Sequence, residues 1–202
     1  MKSKIEFFYD CSSPWTYLAF SEIENLVARQ GLKLIWKPIL VGGVFNSSNP
    51  SVYASRENPV KAKQNYSTKD LQDWSKIRGL TINWPDVFPV NSVKAMRGAF
   101  YAINKEMISE YSSRVFFSYW TEGNDISQDE VLIEIISSLG FDSQDFFSFI
   151  ELDQTKELLK SNTQELIDRG GFGSPTIFID ENNMFFGNDR LKLIEEILQG
   201  PS

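Results

Sequence analysis

Ser13, Pro14 and Thr16 stand where a short β-prone run, Lys4 to Tyr9, gives way to residues with helical spacing, and a second Ser-Pro pair, Ser174-Pro175, opens another β-prone run far downstream. A serine that begins a helix has two uses. Its oxygen can accept from a backbone N–H of the first turn, with proline suited to the first helical position. Its hydroxyl also stands beside the free N–H groups and positive end of the helix dipole, where an anion, including a thiolate, is favoured. Residue types alone leave Ser13 open between a plain cap and a group that holds a ligand's sulfur. Pro175 follows the glycine-rich run Gly170-Gly171-Phe172-Gly173 at a strand start and is a candidate for a cis peptide bond.

What the chain lacks narrows the chemistry further. It has no histidine and a single cysteine, Cys11. Ser-His-Asp and Cys-His catalysis, an internal disulfide and zinc sites built on several thiolates are thereby excluded, and no metal site is expected. The reactive group must come from a bound small molecule or from a carboxylate, Tyr, Lys or backbone dipole. Cys11 itself is open between a second nucleophile and a small buried hydrophobe at a strand end. A net charge of -7 disfavours a phosphate-binding surface, so no nucleic-acid partner is expected. Lys2 and Lys4 open the chain, but Glu6 and Asp10 interrupt the apolar stretch that a signal peptide needs. No apolar run of about 18 residues occurs, which predicts a soluble, cytoplasmic protein with no membrane partner.

At 202 residues, 42% of them hydrophobic, the chain can bury a core without staples, and 16 Phe, 5 Trp and 7 Tyr predict an aromatic interior or cleft. Residues 4–9 read as a strand, the helical spacing from Trp15 to Val27 ends at Gly31, and Leu32 to Pro38 reads as a second strand. This is a β-α-β unit, with parallel strands and a right-handed crossover. The Gly, Asn and Ser content from Gly42 to Asn49 predicts a loop. Helical spacing then predicts helices near 58–79, 91–106, 108–122, 128–139, 143–151 and 154–169. Thr176 to Asp180 and Met184 to Phe186 read as a hairpin about the turn Glu181-Asn182-Asn183, and Asn188 or Asp189 can cap a last helix, Arg190 to Leu198. The fold class is α/β, in the order β-α-β, helical block, β-β-α.

With these motifs in order, the chain resembles the DsbA-like branch of the thioredoxin superfamily, and more closely the 2-hydroxychromene-2-carboxylate isomerases and kappa-class glutathione transferases. The resemblance spans nearly the whole chain. It is carried by Phe8 to Ala19, Pro38 to Phe45, Phe88-Pro89-Val90-Asn91, Gly171 to Thr176 and Phe185 to Leu191. It implies a thioredoxin fold with a large all-helical insertion: residues 1–40 and 170–202 as a discontinuous thioredoxin-like domain, and 41–169 as the insertion. It implies glutathione as cofactor, with the Ser13 hydroxyl on its sulfur, where redox relatives carry a cysteine. Thr16 takes the place of the second redox cysteine. Ser174, before the cis-proline Pro175, would pair its backbone with the cysteinyl backbone. Asn188 and Asp189 would receive the γ-glutamyl end, Asp189 being alternatively a plain helix cap and Arg190 an ion-pair residue. Asn49 and Lys61 or Lys63 lie where relatives meet the glycyl carboxylate or the substrate, although a lysine there also suits a solvated helix face. Asn91 is open between the cleft and a cap for the next helix, and Trp15, Phe45 and Trp84 between an aromatic substrate pocket and core.

The activity the resemblance implies is isomerisation of an aromatic α-keto acid of the 2-hydroxychromene-2-carboxylate type, through reversible addition of the glutathione thiolate. A kappa-like transferase would use the same residues. A non-catalytic thioredoxin-like module and a disulfide oxidoreductase acting through Cys11 alone are the other readings, and a homodimer is the expected assembly.

Overall fold

The computed structural model describes residues 4–200, so Lys2 and the outer limits of the expected domains, 1–3 and 201–202, lie outside the described residues. Four strands, β1 (Lys4–Tyr9), β2 (Lys33–Pro38), β3 (Thr176–Ile179) and β4 (Asn183–Phe186), form one sheet in the order β2-β1-β3-β4. β1 runs parallel to β2 and antiparallel to β3, and β3 runs antiparallel to β4. The two-residue period of a strand divides β1 between two cores. Ile5, Phe7 and Tyr9 join the main core, whereas Phe8 joins Ile39, Val44, Leu166 and Phe178 on the other face. Glu6 shares that second face, where Arg169 donates to it at 2.8 Å while lying over the Phe178 ring at 3.7 Å. Burial pushes the Glu6 carboxyl up, but the hydrogen bonds and charges of Arg169 and Lys4 outweigh it and hold the group below its ordinary value.

Helix α1 (Pro14–Arg29) connects β1 to β2. Between β2 and β3 come α2 (Val41–Ser48), α3 (Ser51–Glu57), α4 (Lys61–Arg78), α5 (Val93–Asn104), α6 (Ile108–Trp120), α7 (Asp129–Ser138), α8 (Ser143–Glu151) and α9 (Asp153–Asp168), and α10 (Arg190–Gln199) follows β4. The expected order of a β-α-β unit, a helical block and a β-β-α unit is the observed one, and the helices expected from 58 to 169 meet α4 to α9 with ends displaced by a few residues. Their apolar stripes carry the core: α5 buries Ala95, Met96, Ala99 and Phe100, and α6 buries Tyr111, Val115, Phe116 and Trp120. Among the described residues no helix is long and apolar enough to cross a membrane.

The loop expected from Gly42 to Asn49 is instead helix α2, followed at once by α3. Tertiary packing overrides the weak propensity of Gly, Asn and Ser here. Val41 and Val44 bury one face, and the Leu40 N–H donates to Thr163 Oγ1 at 3.0 Å. Gly43 lets α2 approach α9, since a Cβ there would stand 3.2 Å from Thr163 Cγ2.

Candidate active site

The junction of β1 and α1 is held by the segment before β3. Ser13 is the N-cap of α1, with extended backbone, and its Oγ accepts from the Thr16 N–H at 3.3 Å. The same hydroxyl donates to the Ser174 carbonyl at 3.2 Å. Ser174 answers with its own side chain: its Oγ accepts from the Asp10 N–H at 3.0 Å and shares a 2.8 Å hydrogen bond with Thr16 Oγ1. Ser174-Pro175 is a cis peptide, as is Phe88-Pro89. The two Ser-Pro pairs, distant in sequence, thus form one cluster, with Ser13 half-buried and Ser174 and Thr16 buried.

Asp10 lies beneath this cluster and is 1% exposed. One carboxylate oxygen accepts from the Ser12 N–H at 2.9 Å, and the other from the Val41 N–H at 2.8 Å and the Ser92 hydroxyl at 3.1 Å. Burial pushes its pKa up, and these donors work against that rise. One side chain therefore fastens the Ser13 turn, the start of α2 and the approach to α5. Sequence reading missed it. The available signal was an Asp two residues before Ser12, the spacing of an Asx turn, but Val41 and Ser92 become partners only in the folded chain.

Cys11 is buried, its N–H donates to Met96 Sδ at 3.4 Å, and its carbonyl accepts from Trp120 Nε1 at 2.8 Å. Burial, reinforced by the nearby Asp10 charge, pushes the thiol well above its ordinary range, so the reactive thiolate is disfavoured. Of the two readings left open for Cys11, the small buried hydrophobe is the one this environment suits.

Other predicted site residues are placed unequally. Phe45, half-buried on α2, borders Gly173, where a Cβ would stand 3.7 Å from Phe45 Cε1 and 2.8 Å from Phe186 Cε2; the loop before Ser174 can be this close only because the residue is glycine. Asn49 ties the α2–α3 corner to that loop, its amide donating to the Phe172 carbonyl at 3.3 Å. Asn188 is 3% exposed and its Oδ1 has no partner among the described residues, while the Gly187 N–H donates to the Pro175 carbonyl at 3.1 Å, which holds this segment beside the cis-proline. Asp189 occupies the N-cap position of α10 without a capping bond, and its carboxylate accepts from Arg190 at 2.6 Å instead. Trp15 is half-buried in the first turn of α1. Lys61 and Lys63 are exposed in the first turn of α4, and Asn91 is exposed with its Oδ1 accepting from the Val93 N–H at 3.1 Å. Those three contribute no contact to the Ser13 cluster.

Phe88, which the resemblance covers, and Arg56, which sequence reading passed over, lie close to each other. Phe88 packs 4.8 Å from Trp84 and 6.2 Å from Trp120 between ring centroids. Arg56 on α3 lies over both Phe45, at 5.5 Å, and Phe88, at 5.3 Å. Neither partner is near Arg56 in sequence, so periodicity carried no signal of this contact.

The family model of the DSBA-like thioredoxin domain matches residues 4–199. Among curated relatives, the chain is similar to 2-hydroxychromene-2-carboxylate isomerase of Pseudomonas putida, 29% identical over 196 residues that cover 96% of this chain and 93% of that one. It is also similar to glutathione S-transferase kappa 1 of Caenorhabditis elegans, 23% identical over 214 residues, covering 98% and 92%. A solved structure of selenomethionine 2-hydroxychromene-2-carboxylate isomerase superposes with a TM-score of 0.81 at 26% identity, covering 97% of this chain and 94% of that one. The family match runs from the first residue of β1 to the last of α10, and the chain belongs to the DSBA-like thioredoxin family.

Proposed function

We propose that this chain is a glutathione-dependent isomerase of an aromatic α-keto acid of the 2-hydroxychromene-2-carboxylate type. The observation that carries the reading is the Ser13 hydroxyl. It stands at the N-terminus of a 16-residue helix, and its bonds to the Ser174 carbonyl and the Thr16 N–H, at 3.2 and 3.3 Å, are both long for a hydroxyl. Ser13 can therefore turn its proton to a sulfur placed beside it at little loss. The positive end of the α1 dipole favours the thiolate over the thiol at the same point. The name of the kappa transferase relative supports glutathione as the cofactor, and that of the curated isomerase relative supports the reaction.

The surrounding residues fit glutathione. The orphaned, buried Asn188 Oδ1 is an acceptor suited to the γ-glutamyl ammonium, with the Asp189 carboxylate adjacent in the chain. The Ser174 backbone, next to Pro175, suits strand-like pairing with the cysteinyl residue. When bound, glutathione supplies a thiol nucleophile for reversible addition to a conjugated double bond, which frees that bond to rotate before the thiol leaves. Ser13 would hold the sulfur charge at its Oγ. Thr16 and Ser174 would fix the carbonyl that orients Ser13, and Asp10 would keep the turn in place beneath them. Phe45 and Phe88 would bound the substrate side. A kappa-like transferase reading draws on the same residues and on the kappa relative. The two differ in outcome, because an isomerase leaves the glutathione concentration unchanged and a transferase depletes it.

The test is a calorimetric titration with reduced glutathione, followed in parallel by thiolate absorbance in the ultraviolet, for wild type and Ser13→Ala. Saturable binding with a neutral-pH thiolate signal that Ser13→Ala weakens is the expected result. Absence of binding at millimolar glutathione would overturn the proposal and leave a non-catalytic thioredoxin-like module.

A further inference from the structure

Five arginines of this chain find a carboxylate: Arg29 with Glu22 and Glu195, Arg78 with Glu22, Arg97 with Glu151, Arg169 with Glu6 and Glu165, and Arg190 with Asp189. Arg56 does not. Its guanidinium lies over the rings of Phe45 and Phe88, and among the described residues no hydrogen bond or carboxylate pairs with it. A ring contact uses the charge and leaves the five N–H donors available in their planar fork.

The two rings fix where that fork stands. Phe45 borders Gly173, next to Ser174, whose carbonyl accepts from Ser13. Phe88 packs on Trp120, whose indole donates to the Cys11 carbonyl two residues before Ser13. Arg56 thus spans the rim between the two segments that border Ser13, held by aromatic surfaces that themselves suit a flat ligand. An exposed arginine on a helix with no buried residue contributes little to packing beyond its two ring contacts. A planar, bidentate cation between aromatic walls is suited to one ligand chemistry above others, an aromatic ring carrying a carboxylate.

We propose that Arg56 receives the carboxylate of an aromatic α-keto acid whose ring lies against Phe45 and Phe88, and so selects acids over neutral aromatic compounds. The inference deepens the reading of the Ser13 cleft as an isomerase site, but it can be tested without glutathione, so the two can fail separately. Benzoylformate, an aromatic α-keto acid, and its uncharged methyl ester are titrated calorimetrically into wild type, Arg56→Gln and Arg56→Lys, with thermal melts to verify that each variant is folded. Wild type is expected to bind the acid about tenfold more tightly than the ester, the scale of one charge-assisted bidentate contact. Arg56→Gln should abolish that preference, and Arg56→Lys, which keeps the charge and loses the fork, should retain part of it. Failure of wild type to bind benzoylformate, equal binding of acid and ester, or an acid preference that persists in Arg56→Gln would each overturn the proposal.

Discussion

Asp10, Thr16, Ser92 and Ser174, on the inner side of the Ser13 turn, are buried and bonded to one another, to Ser13 or to backbone of three separate segments. The outer side is built differently. α3 buries no residue, Tyr53 and Trp84 are 37% and 61% exposed, and Arg56 rests on rings rather than on a counter-charge. The inner groups can change little without unfolding the turn that carries Ser13, whereas the outer groups are linked to the rest of the chain by few contacts. Under the proposed function, catalytic geometry would reside in the closed polar network and choice of substrate in the open aromatic surface. Variants that separate stability from ligand preference are the direct way to probe this division.

Removing the Asp10 carboxylate should have the largest effect. Asp10→Ala leaves the Ser12 and Val41 amides and the Ser92 hydroxyl without an acceptor, and a loss of about 3 kcal/mol is expected in urea denaturation. A loss below about 1 kcal/mol would mean that the inner network is not what holds the turn.

A smaller effect of known sign comes from titration. Because burial raises the Asp10 pKa in the folded chain, its linked stabilisation is fully present below the unfolded-state pKa and is lost as pH rises through the folded one. Asp10→Asn does not titrate. Its stability relative to wild type should therefore improve as pH rises through the folded pKa of Asp10, and denaturation followed from about pH 3 to about pH 8 tests this. A constant difference, or one that shrinks with rising pH, would contradict the assignment.

The smallest change is expected at the rim. Arg56→Gln should alter unfolding free energy by no more than about 0.5 kcal/mol, as for other exposed substitutions, even as it removes the preference for the acid. A larger loss in the melt would make Arg56 a structural residue and erase the contrast between the two sides.

What was legible in the sequence follows the same division by range. Ser13-Pro14 and Ser174-Pro175 declared themselves because capping and turn chemistry are local, and α5 to α9 because their apolar stripes repeat at helical spacing. α2 did not, since its helix depends on Val41 and Val44 burying against Phe8 and Leu166 and on an amide held by Asp10. Asp10 and Arg56 were passed over for a related reason. Each looks like an ordinary charged residue until Val41 and Ser92, or Phe45 and Phe88, are brought to it by the fold.

The antiparallel pairing of β1 with β3 joins Ile5 to Ile179 and Phe8 to Thr176. During synthesis β1 emerges well before β3, with α1 to α9 between them, so one edge of the strand stays unpaired while those helices are made. The sheet, and with it the contact between Ser13 and Ser174, can close only after the C-terminal segment has left the ribosome. A nascent or truncated chain that ends before β3 therefore carries a bare, aromatic strand edge open to foreign strands.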